Sequence, residues 1–361
     1  MKTQDLYVVP ARRSAGLWYI GCLLVLALAW PNAQAAATPP LLRILAWEGY
    51  ADADVVKTFE QRFAARVEVT VVDSDDVLWR KINANGGADF DVFAVNTAEM
   101  VRYRDAGLLA PINPEHVPNL RQQLSRFRES QQMPAIFSRG QRYAVPYTYA
   151  EMGLIYDRKT FPTPPDSIKA LWDARWKGRV LAYDGATHNF SLAALKAGNR
   201  RPFRIDDNQW SALSAELIAL RRNVLGFYTQ LDDSLAQYRS GGAVLMFANY
   251  GTQQVHLFRE AGLDVGYSIP REGALAWLDC WVITTASRQR TLAEQWINYT
   301  LEADVSGLLV SRQGLSNTLT PGAGEANARL LWLEPVESSD RRSVLWTRVM
   351  SGDRLEKVLA K

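Results

Sequence analysis

The chain has 361 residues, 48% of them hydrophobic, and its 41 Lys and Arg against 38 Asp and Glu leave a formal net charge of +3. That length can bury one large or two medium cores, and the charge lacks the marked basic excess or basic stripe of a nucleic-acid binder. Arg341, Arg342, Arg348 and Arg354 near the C-terminus read as a solvated helix face.

Residues 1–35 read as a Sec-type secretory signal peptide, because Arg12 and Arg13 precede an apolar run that ends before Ala33-Gln34-Ala35, a small-residue cleavage pattern. The run, from Gly16 to Trp30, is shorter than the roughly 20 residues a membrane helix needs. Cys22 lies inside the run and not at its end, which argues against a lipid anchor. The expected mature protein is therefore periplasmic and begins near Ala36. Removing Lys2, Arg12, Arg13 and Asp5 takes a net +2 from +3 and leaves +1, so no strong electrostatic partner is implied. Cys280 remains as a single cysteine without a disulfide partner, and with no histidine beside it in sequence it reads as a small buried thiol.

From residue 41 the pattern runs strand, turn, helix. An apolar strand at 42–46 precedes a helix that Asp52 or Asp54 can cap, with Val55, Val56, Phe59 and Phe63 on one face. A second strand at 67–72 leads to a helix opened by Asp75 and Asp76 and broken by Gly86 and Gly87, and a third strand follows at 90–95. A second such series begins after Val145-Pro146-Tyr147, with strands at 152–156, 179–183, 243–248 and 265–269 and a helix at 208–222. Loops are expected at Pro162-Thr163-Pro164-Pro165 and at 321–327, before a closing helix at 338–359. Alternating strands and helices of this kind imply an α/β protein.

Ligands of open α/β sheets bind beyond the carboxyl ends of the strands. Those positions here hold Trp47, Glu48 and Tyr50, then Asp73 to Asp76, then Asn96 and Thr97; in the second series they hold Asp184, Asn249 and Tyr250. Trp277 and Asp279 stand two apart in a strand-like stretch and so share a face, where a ring and a carboxylate suit a cation. The same pair also fits a core tryptophan beside a bend-capping aspartate.

At these residues the chain resembles the spermidine/putrescine periplasmic-binding proteins, the solute receptors of polyamine ABC importers. The resemblance covers nearly all of the expected mature chain. It is carried by Leu45-Ala46-Trp47-Glu48-Gly49-Tyr50, Gly87-Ala88-Asp89-Phe90-Asp91-Val92, Tyr143-Ala144-Val145-Pro146-Tyr147, Leu171-Trp172-Asp173 with Lys177-Gly178-Arg179-Val180, and Ile269-Pro270-Arg271-Glu272-Gly273-Ala274 leading to Trp277-Leu278-Asp279. It implies a two-lobed, type II periplasmic-binding-protein fold, each lobe a mainly parallel sheet flanked by helices, with the ligand cleft between the lobes. The expected division is 41–146 with 279–318 against 147–278 with 319–361.

The resemblance also implies ligand-binding roles for Trp47, Tyr50, Asp184, Trp277 and Asp279, to which the strand-end positions add Glu48, Asn96, Thr97 and Asn249. No cofactor or metal is expected, and the partners are a small cationic or zwitterionic amine and an inner-membrane ABC permease, with the protein a monomer. The chain departs from the family where Gly49, Ala98, Thr187, Ala248 and Leu315 replace acidic or aromatic pocket positions. A shorter ligand, a single cation and a zwitterion met by His188, Asn249, Thr97 or Arg142 all fit those losses. An enzyme finds little support, since the three histidines, His116, His188 and His256, show no metal-ligand spacing and no nucleophile elbow or phosphate loop appears. A receptor that presents its ligand to a membrane sensor keeps the same fold.

Overall fold

Two mixed sheets, each covered on both faces, account for most of the chain in the computed structural model, which describes residues 38–129, 135–321 and 329–360. The signal peptide expected at 1–35 and most of the loop expected at 321–327 lie outside the described residues. The chain opens with β1 (Leu41–Trp47), α1 (Ala53–Phe63), β2 (Arg66–Val72), α2 (Asp75–Ala84), β3 (Val92–Asn96), α3 (Thr97–Asp105) and β4 (Leu109–Ala110). A short helix, α4 (Ser125–Arg128), and a hairpin, β5 (Phe137–Ser138) and β6 (Gln141–Arg142), precede β7 (Val145–Met152). The middle third contains β8 (Leu154–Asp157), β9 (Val180–Tyr183), α5 (Ala186–Lys196), α6 (Trp210–Asn223), β10 (Gly226–Tyr228), α7 (Leu231–Gly241), β11 (Leu245–Phe247), α8 (Thr252–Glu260) and β12 (Val265–Ser268). The chain then returns through β13 (Ala274–Thr284), α9 (Arg290–Thr300), α10 (Ala303–Gln313), β14 (Ser316–Asn317) and β15 (Leu330–Trp332), and closes with α11 (Ser339–Met350) and α12 (Leu355–Val358).

The first sheet runs β14-β7-β13-β3-β1-β2, with β4 and β15 also paired to β13. β1 pairs in parallel with β2 and β3, as helical crossovers require, whereas β13 and β7 join antiparallel because the chain re-enters this sheet from the opposite end. The second sheet runs β10-β9-β11-β8-β12, again parallel around β9 and antiparallel around β8. Along β13 nearly every side chain is buried, as a central strand between two cores demands. Trp281 and Ile283 enter the core on one face, and Leu278, Cys280 and Val282 the core on the other.

The two lobes meet along shared strands. Met152, at the end of β7, and Leu275, near the start of β13, belong to the core under the second sheet although their strands pair in the first. Gly153 makes the passage from β7 to β8; a Cβ there would lie 2.6 Å from the Ser268 carbonyl oxygen, so only glycine fits.

Two expectations need correction. The closing helix at 338–359 is two helices, interrupted at Gly352, whose φ of +92° breaks the helical turn. Arg342 does not belong to a solvated face: it is fully buried, donates to the Glu337 carboxylate through Nε and Nη2 at 2.9 Å, and also donates to the Thr187 carbonyl and Ser191.

Candidate functional site

A cavity of about 740 Å³ opens between the ends of the two sheets. From the first sheet it takes the β1–α1 loop, the β2–α2 loop, the end of β3 and the middle of β13; from the second, the segments after β9, β10 and β11. The loops to which the strand-end rule points are among those that line this cavity.

Asp279 lies at its floor, 6% exposed, on β13 opposite Asn96 of β3 and Thr148 of β7. The Tyr50 hydroxyl donates to its Oδ2 at 2.6 Å. Tyr50 is itself held by edge-on contacts with Tyr147 and Trp281, 5.4 and 6.4 Å between ring centres. It reaches the floor because the chain turns sharply after β1: Gly49 has φ of +81°, and a Cβ there would meet Gln313 at 2.4 Å. The left-handed backbone at Gly49 disfavours the acidic side chain that the family resemblance leads one to look for at this position. Burial raises the Asp279 carboxyl to about 7, with the Tyr50 hydrogen bond acting in the opposite direction.

A second carboxylate stands nearby. Asp75, in the first turn of α2, accepts from Asn96 Nδ2 at 3.0 Å, while Asn96 Oδ1 caps α3 by accepting from the Glu99 amide. Asn96 is thus fixed from two sides and stands between the two carboxylates. Burial, then the Glu99 and Asp279 charges, raise Asp75 to about 7, while Arg102 pulls it down. Arg102 pairs with Glu99 at 2.8 Å and donates to the Asp75 backbone carbonyl, and among the described residues neither Asp75 nor Asp279 has an ion-pair partner. Two crowded carboxyls with raised pKa are in the state a bound cation would reverse.

The opposite wall is polar without charge. His188 sits edge-on to Tyr183, 5.3 Å between ring centres, and burial followed by the nearby Arg342 lowers its pKa to about 4, leaving a neutral imidazole at pH 7. Asn249, 7% exposed, has a side-chain Oδ1 with no hydrogen-bond partner among the described residues. Trp277 closes the cavity and packs against the cores of both lobes.

Of the residues expected from sequence, Trp47, Glu48, Tyr50, Asn96, Asn249, Trp277 and Asp279 line the cavity together. Thr97 and Asp184 do not. Thr97 is buried with its hydroxyl 3.5 Å from the Leu333 carbonyl, and the Asp184 carboxylate accepts from Trp346 Nε1 at 2.7 Å. Tyr183 and Gln253 also line the cavity and were not expected there, and Asp75, which stands among the strand-end positions, was given no ligand role. For Asp75 a signal existed, an acidic pair just after a strand, but helix capping explained it equally well.

The arrangement, a cavity walled by strand-end loops of two α/β sheets, is that of a two-lobed solute receptor, and no group of residues that could hold a metal occurs among the described residues. The sequence profile of the bacterial extracellular solute-binding proteins matches residues 54–321, and the chain belongs to that family. Members bind solutes and do not transform them. Among its relatives, the putrescine-binding periplasmic protein PotF of Escherichia coli is 24% identical over 379 residues, 93% of this chain and 98% of that protein. A putrescine/cadaverine-binding protein of Pseudomonas aeruginosa is 22% identical over 91% of this chain and 98% of its own length. The solved spermidine/putrescine ABC transporter substrate-binding protein PotD of Streptococcus pneumoniae superposes with a TM-score of 0.72 at 18% identity, covering 88% of this chain and 99% of that one. That superposition makes the fold common to both.

Proposed function

We propose that the cavity takes up a small amine cation in the periplasm and that the loaded protein delivers it to an inner-membrane ABC permease. One observation carries the reading: the cavity presents Glu48, Asp73, Asp75 and Asp279, while among the described residues no Lys or Arg lines it. Such a site attracts cations and leaves an anion unpaired. The rings of Trp47, Tyr50 and Trp277 offer faces for an ammonium and cover for its methylene stem. The names of the relatives, putrescine- and cadaverine-binding proteins, agree with an amine ligand.

In this reading Asp279 is the principal anchor, Asp75 the second, and Tyr50 and Asn96 hold them in position. The protein acts as a monomer whose lobes, near 41–146 with 279–318 and 147–278 with 319–361, close on the ligand. Support for that division comes from the sheets, since β1 to β3 pair in one and β8 to β12 in the other. Export follows from the signal peptide at 1–35, and mass spectrometry of the secreted chain should find an N-terminus near Ala36.

Calorimetry of the purified protein against mono-, di- and polyamines tests the ligand class. Binding of at least one amine, lost in Asp279→Asn, is expected; no amine binding across the panel overturns the reading. Uptake of the bound amine by cells with and without the gene separates import from sensing.

A further inference from the structure

The charges in the cavity are all on one side. Glu48, Asp73, Asp75 and Asp279 come from the β1–α1 loop, the β2–α2 loop and β13, all elements of the first sheet. The wall built on the second sheet contributes Tyr183, His188, Gln230, Asn249, Tyr250 and Gln253, none of which is an acid. Asp184, exposed and outside the cavity lining, accepts from Trp346 Nε1 through one oxygen at 2.7 Å, and Asp233 accepts from Gln237 at 3.0 Å and from the Thr229 amide at 3.3 Å. His188, edge-on to Tyr183 and half-buried, presents a neutral ring.

Resting on the amine reading above, we propose that the physiological ligand is a monocationic amine whose far end is neutral and hydrogen-bonding, an amino alcohol or an N-acylated diamine. The ammonium is held at Asp279 and Asp75, and the hydroxyl or amide at the far end meets the second-sheet wall. Asn249 is the residue that favours this end group. It is buried, its backbone amide is fixed by donation to the Tyr228 hydroxyl at 2.8 Å, and its Oδ1 lacks a partner among the described residues. Asn249 lines the cavity, and a neutral hydroxyl or amide is the kind of group that pairs with a side-chain amide without burying a charge.

A free diamine fits less well, because its second ammonium would be desolvated against amides and phenols with no carboxylate to neutralise it. An amino acid fits worst. Its carboxylate would meet no Lys or Arg among the described residues of either wall, and at the charged end it would face four carboxylates.

A matched four-carbon series tests this: 4-aminobutan-1-ol, N-acetyl-1,4-diaminobutane, 1,4-diaminobutane and 4-aminobutanoate, titrated by calorimetry into the purified protein at pH 7 and one ionic strength. The amino alcohol or the acetylated amine should bind at least about tenfold tighter than the diamine, and 4-aminobutanoate should bind most weakly. A diamine that binds as tightly as, or more tightly than, both neutral-tailed compounds overturns the proposal and leaves the amine reading intact. Failure of all four together with longer polyamines overturns the amine reading, and the proposal with it.

Asn249→Asp gives the reciprocal test, since it adds the missing carboxylate with little change of shape. The diamine should gain about tenfold or more relative to the acetylated amine in this variant. An unchanged order of affinities in a variant that melts like the wild type overturns the assignment of the far end to this wall.

Discussion

Tyr50 donates its hydroxyl to Asp279 across 2.6 Å, and this single bond joins residues 229 positions apart, one in the loop after β1 and the other on β13. It does two things at once. It directs one oxygen of the carboxylate, leaving the other to a ligand, and it supplies a donor that keeps a deeply buried acid from being wholly unsatisfied.

Replacing that acid by its amide therefore isolates charge from shape. Asp279→Asn should weaken amine binding by about 2 to 5 kcal/mol, roughly thirtyfold or more, because the ligand's buried ammonium loses its principal counter-charge. Asp75→Asn should produce a smaller loss of the same sign, since Asp75 is the less buried of the two. Calorimetry reads both, and an unchanged affinity in Asp279→Asn would remove this residue from the anchor role.

The two carboxyls also make stability and binding depend on pH in opposite senses. Each is raised from an ordinary value of 3.8 to about 7 in the folded protein. The folded state therefore binds protons more readily than the unfolded chain between roughly pH 4 and 7, and the stability this confers is lost as pH rises through that window. The ligand-free protein should melt higher near pH 5 than near pH 8 as far as these groups decide, and Asp75→Asn or Asp279→Asn should flatten the difference. Amine binding should weaken as pH falls below 7 and should release protons near pH 6.5. Titrations in buffers of different ionisation enthalpy measure that release, and an absence of buffer dependence would contradict the assignment.

How far the site was legible from sequence follows from what each residue needs. β1, β3 and β11 are short apolar segments between turn signals, so their following residues could be read, and Trp47, Glu48, Tyr50, Asn96 and Asn249 were found in that way. Asp75 could not be separated from a helix-capping acid, because its orientation depends on the bond from Asn96, 21 residues away. Asp184 is the opposite case. It does follow β9, but it stands outside the cavity lining and accepts through one oxygen from Trp346 of the distant α11, a contact no local pattern predicts. Arg342 reads as a surface residue on composition; a pairing with Glu337 and the Thr187 carbonyl buries it.

Arg342 offers a stability test that leaves the ligand anchors untouched. Its guanidinium is wholly buried, joins α11 to Glu337 and to α5, and has no exposure through which water could replace a lost partner. Truncating one member of a buried pair leaves the other without compensation, so Arg342→Ala should cost about 3 to 5 kcal/mol in urea unfolding. Arg341→Ala, whose partner Asp207 is exposed, should cost under about 1 kcal/mol. Equal effects at the two positions would show that the burial of Arg342 has no energetic consequence.

Trp277 differs from the other cavity residues because its ring packs against the cores of both lobes while it faces the cavity. Two roles are therefore superimposed on one side chain, and ligand length separates them. If the ring covers the methylene stem, Trp277→Ala should weaken a four-carbon amino alcohol more than ethanolamine, by a further factor of about three to thirty, because only the longer stem reaches across the ring. Loss of packing against both cores should lower stability at the same time, by less than the roughly 3 to 5 kcal/mol of a fully buried tryptophan. Trp277→Phe should recover most of the affinity through its retained ring face. An equal loss for long and short amines, with recovery tracking stability alone, would mean that Trp277 serves the junction between the lobes and makes no contact with the ligand stem.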